Sequence, residues 1–236
     1  MISGRSTWAG EPILRRLDST ALAVMVGITE PTRRCPADAQ RFIPEVLMLP
    51  FQLRPISETD VDALVALDSD PEVMRFINGG QPTPRDLCAN VLIPRMLAAA
   101  TRAGLGFFAV ESPDQTFMGW VHLRLDTFEP AWAELGYRLA RPWWGQGVAT
   151  AASRLLTQRA FDELGFDVVS ARAMPENGAS RRVMEKVGLR EAGRFVFPGR
   201  VLAGLTVPEV PGVLYTLRRE DWSARQGDAD AVSLSG

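Results

Sequence analysis

The sequence predicts an α+β fold over about residues 51–222, with a largely antiparallel sheet flanked by helices. Apolar patterns typical of strands and of helices follow one another along this range. Two strand patterns, 132–139 and 168–173, are separated by a helical pattern, as in a β–α–β crossover. The composition, 46% hydrophobic and 23% charged, is that of a folded globular protein.

Four helices are predicted from the spacing of apolar residues and from capping residues. Ser57 is followed three residues later by Asp60, the spacing of a capping box, and a helical pattern follows. A second helix is expected to have Thr83 as its N-cap and Pro84 at its first position, and Pro94 should kink or end it. The other two, each followed by a glycine, are predicted at 148–164 and 179–187.

The strands are predicted from apolar patterns bounded by turn residues. They lie at 51–55, 106–111, 118–125, 132–139, 168–173, 189–197 and 212–218. Residues 1–47 carry prolines and arginines without a persistent period, and we expect a poorly ordered or untranslated extension, with a capping arm as the alternative. The small, polar residues 223–236 are expected to form a flexible tail.

Charge and cysteine content exclude several classes of protein. The net charge of −2 gives no support for broad nucleic-acid binding, which usually needs a basic face. Cys35 and Cys88 have neither metal-ligand spacing nor the number of a disulfide framework, so we expect no metal and a reducing cytoplasm. The apolar run 21–26 is too short to span a membrane. Oligomeric state is open between monomer and homodimer.

The most informative stretch is the glycine turn, which we define as residues 144–149, Trp-Gly-Gln-Gly-Val-Ala. It lies between a predicted strand and a predicted helix. Glycine lets backbone N–H groups turn toward an anion, and the helix N-terminus adds unpaired donors and a positive dipole end. This pattern predicts a phosphate or pyrophosphate site. A Rossmann turn would need a further glycine where Thr150 stands, and a tight turn without a ligand is the alternative.

A second motif, residues 177–189, follows the next strand. Together with the glycine turn and residues 134–139, it resembles the GNAT acyltransferase superfamily, most closely the branch that acetylates ribosomal-protein N-termini. The resemblance implies a GNAT-like mixed sheet and an acetyl-CoA-dependent N-acetyltransferase. Such an enzyme would move an acetyl group to a primary amine, of a protein N-terminus or a small molecule, by direct transfer in a ternary complex. The alternative is a non-catalytic acyl-CoA-binding sensor or regulatory module.

The resemblance also implies the residues that hold acetyl-CoA. Gly147 and Ala149 fill the two small-residue positions of the family's turn, whereas Trp144 departs from its leading Gln or Arg. Backbone donors carry most of the pyrophosphate contact, so binding should survive this departure. The predicted cofactor-binding residues are Tyr137, Arg138, Leu139, Trp144, Gly145, Gln146, Gly147, Val148, Ala149, Thr150 and Asn177.

Further roles follow for the second motif. Asn177 matches the asparagine that touches the pantetheine arm, and Ser180 matches the serine proposed to protonate the departing thiolate. Many relatives use a tyrosine where Met184 stands, and Met184 cannot donate a proton. The alternative for Ser180 is a plain residue of the first helical turn. Arg181 and Arg182 could meet a cofactor phosphate, although a solvated helix face is the default.

Acyl transfer to an amine also needs a base and an acceptor pocket. Glu134 is the first candidate for the base, because its position resembles the catalytic glutamate of the histone-acetylating branch; a structural carboxylate or a water chain is the alternative. His122, the sole histidine, titrates in the useful range, but a packed or surface histidine is favoured. Met74 and Phe76 lie where the family's acceptor loop falls and are predicted to line the acceptor pocket, with anchoring of a surface loop as the alternative.

Overall fold

The structure is a computed structural model that describes residues 51–202 and 205–224, with the backbone alone over 200–207. The predictions for residues 1–47 lie outside these ranges, as do those for the tail beyond residue 224. Residues 223 and 224 end the described chain within a helix that begins at residue 219. Within these ranges, no helix has the length and apolarity needed to cross a bilayer.

Seven strands form one sheet: β1 Gln52–Pro55, β2 Gly106–Glu111, β3 Phe117–Leu125, β4 Ala133–Leu139, β5 Val168–Ala173, β6 Arg190–Phe197 and β9 Val210–Arg218. Their order in the sheet is β1-β2-β3-β4-β5-β9-β6. All neighbours are antiparallel except β4 and β5, which are parallel because a helix connects them. The predicted mixed, largely antiparallel sheet is therefore confirmed. A hairpin that was not predicted joins β7 Arg200–Leu202 to β8 Leu205–Val207.

The helices flank this sheet. Besides the helix that begins at residue 219, they are α1 Val61–Asp68, α2 Pro71–Asn78, α3 over 85–98, α4 over 148–163 and α5 Gly178–Val187. Two of them contain a π-helical segment: Cys88–Leu92 within α3 and Arg159–Glu163 at the end of α4. Short 3₁₀ turns, Glu58–Asp60 and Arg141–Trp143, precede α1 and the glycine turn.

Alternation along the strands gives each face of the sheet its own apolar cluster. On the first face, Trp120 of β3 packs with residues of α1, α2 and α3, including Leu64 and Val73. On the second face, the larger cluster joins the sheet to α4 and α5, and Leu156 of α4 is fully buried there. The helices thus bracket the sheet, with α2 on one side and α4 and α5 on the other.

The helix starts show where local signals held and where tertiary contacts overrode them. The backbone N–H of Ser57 donates to Asp60 (2.8 Å), as the predicted capping box requires. Thr83 is not an N-cap, which is a correction: α3 begins one residue later than expected, with Pro84 as its N-cap. The Thr83 hydroxyl instead donates to the buried carboxylate of Asp68 (2.7 Å). A hydrogen bond between buried groups outweighs a cap that solvent can replace.

Two further differences concern the helices near the first face. Of the two outcomes expected at Pro94, a kink or an end, the second is wrong: α3 continues to residue 98, and a π-helical segment, a common site of helix distortion, lies just before the proline. Helix α2 was not predicted at all, although Asp70 caps it by accepting from the Glu72 N–H (2.9 Å) and Pro71 is its first residue. Helix α2 forms one wall of the candidate active site.

Candidate active site

A cleft of about 350 Å³ opens where β4 and β5 diverge. The two strands pair only at Ala133 with Val169 and at Glu134 with Ser170. Beyond this point β4 pairs with β3 alone, so the backbone of its other edge is left for a ligand. The cleft walls are formed by α2, the end of β4, the glycine turn with the start of α4, and α5.

The glycine turn forms one end of the cleft. Gly145 and Gly147 have φ values of 75° and 81°, a left-handed backbone in which a side chain would be strained. Gly147 is the N-cap of α4, and it has no side chain to satisfy the first N–H groups of that helix. These donors, with the positive end of the helix dipole, suit a phosphate or pyrophosphate. The residues therefore fit the diphosphate of a bound coenzyme A.

Side chains of the turn bond to backbone carbonyls just before it, and the donors for an anion come from its backbone. The indole Nε1 of Trp144 donates to the Leu139 carbonyl at the end of β4 (2.7 Å). The Gln146 amide donates to the Pro142 carbonyl (2.6 Å). Gln146 is the one predicted cofactor-binding residue that does not line the cleft; the other ten do. The tryptophan that departs from the family pattern thus stabilises the turn's geometry.

The start of α5 faces the end of β4 across the cleft. The side-chain oxygen of Asn177 caps α5 by accepting from the Ser180 N–H (3.1 Å), so its amide nitrogen is the group left for a ligand. The Tyr137 hydroxyl donates to the Ser180 carbonyl (2.9 Å) and lies 3.0 Å from Ser180 Oγ. Burial raises the pKa of Tyr137, so its phenol stays protonated at neutral pH.

Each hydroxyl of this pair carries one proton, and the hydrogen bonds show where each proton is directed. The single phenolic proton of Tyr137 is directed at a carbonyl, which can only accept. The Ser180 hydroxyl then donates to the Tyr137 oxygen across the 3.0 Å contact, and a ligand can take this proton in place of Tyr137. The sequence could not show this contact, because the two residues are separated by 43 positions.

Glu134 lies where the two strands begin to part, and it is not among the residues that line the cleft. Its carboxylate pairs with Arg124 (2.7 Å) and lies 3.7 Å from Arg172. Burial raises the pKa of Glu134, and the two arginines only partly oppose this. Asp126 holds Arg172 more closely (2.7 Å), which limits how far Arg172 stabilises the Glu134 anion.

Helix α2 forms the wall opposite α5, and it corrects one predicted residue. Phe76 lines the cleft as expected, but Met74 does not: its side chain is 2% exposed and points into the interior. The helical repeat separates them, since Val73 and Ile77, one turn apart, share the cleft-facing side with Phe76. The expected loop would have had no such periodicity.

Two ion pairs connect the end of α1 to β4 and the start of α2 to the segment before the glycine turn. The guanidinium of Arg138 pairs with Asp68 at the end of α1, so Arg138 contributes to the cleft as an already neutralised group. Asp70, at the start of α2, pairs with Arg141 just before the glycine turn (2.7 Å). This second ion pair links α2, one wall of the cleft, to the glycine turn at its end.

His122 is a packed histidine of the first face. Its ring lies 4.6 Å from Phe107, stacks on Trp120 and fills the space that a Cβ on Gly136 would need. Burial, with smaller effects from nearby arginines, lowers the pKa of His122 to about 3. A group that is neutral and such a weak base does not deprotonate an amine at neutral pH.

Two cations of the cleft received no firm role from the sequence. Lys186 lines it together with Arg182, whereas Arg181 turns away to Glu191 (3.2 Å) and to the Tyr215 hydroxyl (3.0 Å). Within the described ranges, no group of three or more His, Cys, Asp or Glu side chains could hold a metal ion.

Comparisons with known proteins agree with this geometry. The family model for the acetyltransferase (GNAT) domain matches residues 51–190. The chain is 30% identical over 183 residues to the FsC-acetyl coenzyme A-N(2)-transacetylase of Aspergillus fumigatus, covering 75% of this chain and 77% of that protein.

A shorter match, 34% identical over 96 residues, is to the "Putative ribosomal N-acetyltransferase YdaF" of Bacillus subtilis, covering 40% of this chain and 49% of that protein. Mycobacterium smegmatis RimJ in complex with CoA-disulfide has the same fold, with a TM-score of 0.58 at 22% identity over 72% of this chain and 83% of RimJ. The chain therefore belongs to the GNAT acetyltransferase family and is an N-acetyltransferase.

Proposed function

We propose that this N-acetyltransferase moves the acetyl group of acetyl-CoA directly to a primary amine while both substrates are bound. The observation that carries the proposal is a single cleft bordered by the glycine turn, the Tyr137–Ser180 pair and α2. Direct transfer requires the amine and the acyl carbon to approach to about 3–3.5 Å, which a shared cavity permits. Separate donor and acceptor pockets would not.

The donor side of the proposal uses mainly backbone groups. The N–H groups of the glycine turn and of the first turn of α4 would hold the diphosphate. The pantetheine arm would pair with the free edge of β4 at residues 137–139 and with the Asn177 amide. Acetyl-CoA supplies the acyl thioester, and all orientation comes from these protein groups.

Two side chains carry the proton steps. Ser180 Oγ gives its proton to the leaving thiolate, since the Tyr137 proton is occupied, and it regains a proton from water, so that coenzyme A leaves as the free thiol. Glu134 takes up the amine's proton through intervening water, because the carboxylate is ion-paired and lies outside the cleft lining. Its raised pKa brings it closer to the basicity that such a role needs at neutral pH.

The acceptor is an amine of a protein N-terminus or of a small molecule. The name of YdaF as a ribosomal N-acetyltransferase and the motif at 177–189 support an N-terminal amine, whereas the name of the fungal transacetylase supports a small-molecule one. A reducing, cytoplasmic setting is part of the proposal. Cys88 is a free, buried thiol, and burial raises its pKa to about 11, so the thiol stays unreactive.

The test is thiol release from acetyl-CoA across a panel of amines, with acetyl-CoA binding measured by calorimetry. Ser180→Ala should lower kcat by about 100-fold, the usual worth of a positioned proton donor, and leave acetyl-CoA affinity within about twofold. Ser223→Ala, exposed and outside the cleft lining, is the control and should behave as wild type. Unchanged turnover in Ser180→Ala would remove the serine from the mechanism.

The same assay examines Glu134. Glu134→Gln should lower kcat and abolish the acidic limb of the kcat profile against pH, because the group that must be ionised in the bound complex is gone. An intact acidic limb would show that another group takes the proton. If the wild type binds acetyl-CoA but acetylates no amine in the panel, direct transfer to a primary amine is the wrong function.

A further inference from the structure

Arg182 and Lys186 form a pair of cations that the roles above leave unused. They lie four residues apart on α5, on the side that lines the cleft, and are therefore neighbours on one helix face. Neither makes an ion pair with any residue in the described ranges. Lys186 is also the only lysine in the 236-residue sequence.

The other charged groups around the cleft are already paired. Asp68 neutralises Arg138, and Glu72 lies 3.7 Å from Arg75. On α5 itself, Glu185 turns to the opposite side, where it accepts from the Tyr215 hydroxyl (3.0 Å). The surplus of charge in the cleft is therefore positive and belongs to Arg182 and Lys186.

A third cation adds to the positive electrostatic potential at the last turn of α5. Arg154 of α4 donates to the backbone carbonyl of Lys186 (2.8 Å), which fixes its guanidinium beside the last turn of α5. Arg154 is exposed and makes no ion pair with a described residue. These three cations have no acidic partner among the described residues, so together they create a positive potential that attracts a phosphate. Only dissolved salt screens this attraction.

Position along α5 indicates which phosphate this is. A helix rises about 1.5 Å per residue, so Lys186 lies about 9 Å beyond Ser180, away from the thiol end of the proposed donor site. Backbone groups of the glycine turn already serve the diphosphate. Coenzyme A has one further anionic group, the 3′-phosphate of its ribose.

We infer that Lys186, assisted by Arg182, binds the 3′-phosphate of coenzyme A and so selects it over donors that lack this group. The inference rests on the proposed function, because it requires the donor to occupy this cleft. Lys186 carries the larger share. The guanidinium of Arg182 lies back over Gly178 at the start of α5, nearer the thiol end of the site.

The test measures the affinities of coenzyme A and dephospho-coenzyme A, which differ only in the 3′-phosphate. By calorimetry, the wild type should bind coenzyme A about tenfold more tightly, the size of one charge-assisted contact. In Lys186→Gln this preference should fall below about threefold, and in Arg182→Gln it should be intermediate. Arg190→Gln, exposed on β6 and outside the cleft lining, should keep the wild-type preference.

The sole lysine allows a second readout without any substitution. Reductive methylation followed by peptide mapping reports the accessibility of Lys186 directly, because no other side chain in the sequence carries a primary amine. Coenzyme A should protect Lys186 from methylation, and dephospho-coenzyme A at equal occupancy should not.

Each outcome decides between the possibilities. Equal wild-type affinities for the two ligands, or a Lys186→Gln variant that weakens both by the same factor, would overturn the inference while leaving the proposed function intact. In the second case, Lys186 would act on the diphosphate. If the folded wild type binds neither ligand, the proposed function fails together with the inference.

Discussion

Tyr137 and Ser180 show how the chemistry of the cleft depends on a contact between distant single residues. Their oxygen atoms lie 3.0 Å apart, and the phenolic proton is committed to the Ser180 carbonyl. Tyr137 therefore has the geometry of a positioning residue: it orients the serine hydroxyl without itself supplying the proton. A short hydrogen-bonded pair of this kind acts as a unit, so its two members should not contribute independently.

Tyr137→Phe tests this dependence, because it removes the hydroxyl and keeps the ring that packs against the second-face cluster. We expect kcat to fall about three- to tenfold, less than in Ser180→Ala, with acetyl-CoA affinity nearly unchanged. In a Ser180→Ala background, the same substitution should have no further effect on kcat. The measurement is a double-mutant cycle on kcat at saturating acetyl-CoA, and additive losses would contradict a role exerted through Ser180.

At the scale of single residues, the sequence predicts contacts between neighbours in the chain and not contacts between distant positions. Asn177 and Ser180 belong to one motif, and the cap between them spans three residues, so the sequence pointed to both. The partner of Ser180 lies on another strand, and no local pattern indicates it. The resemblance places Met74 and Phe76 in the same acceptor loop, but they lie on a helix, whose repeat sends one into the core and the other into the cleft.

At the scale of elements, α2 is the part of the site that sequence patterns missed. Its signals were present: Asp70 as a cap, Pro71 at the first position and a glycine after Asn78. The helix has eight residues, too few for its apolar spacing to stand out, and an isolated helix of that length is unstable in water. Packing of Val73 on the first face and the Asp70–Arg141 ion pair at its start add tertiary stability to this helix.

Asp70 joins α2 to the glycine turn, and this link yields a prediction with two graded variants. One carboxylate oxygen caps α2 and the other pairs with Arg141. Asp70→Asn keeps a good cap and loses only a partly exposed ion pair, so the amine KM should rise about two- to threefold. Asp70→Ala loses both, and the amine KM should rise about tenfold.

The acetyl-CoA dissociation constant serves as the internal control for these variants, since the turn's own backbone forms the diphosphate site. It should stay within about twofold in both. Equal effects of the two substitutions on the amine KM would mean that the cap of α2 is irrelevant to the acceptor wall. A parallel loss of acetyl-CoA binding would instead show that Arg141 shapes the glycine turn.

At the scale of the whole molecule, the fold was more predictable than the site. Each predicted strand of the main sheet lies within about two residues of the observed one, because alternation and turn residues are local signals. The parallel pairing of β4 with β5 followed from the connecting helix. What the sequence could not give is where those strands part, since register beyond Glu134 depends on packing of α4 and α5 against the sheet.

His122 provides a prediction about the molecule's stability, because its ring is enclosed at the middle of the sheet. Its pKa falls from 6.5 to about 3 on folding, chiefly through burial. Below pH 6.5 the unfolded chain gains a proton that the folded chain does not, so the free energy of unfolding should fall as pH drops. The slope from this group is at most about 1.4 kcal/mol per pH unit, and above pH 6.5 it vanishes.

His122→Phe removes the titrating group and retains an aromatic ring beside Phe107 and Trp120. Urea unfolding of both proteins between pH 7.5 and 4.5 should show the variant gaining on the wild type as pH falls, while the difference at pH 7.5 reports packing alone. Asp60 and Asp126 have lowered pKa values, so their contributions are lost mainly below this window. Glu134 titrates in both proteins and cancels in the comparison. Parallel stability curves would mean that the His122 ring reaches water and is protonated in the folded state, and the closed first face described here would then be wrong at its centre.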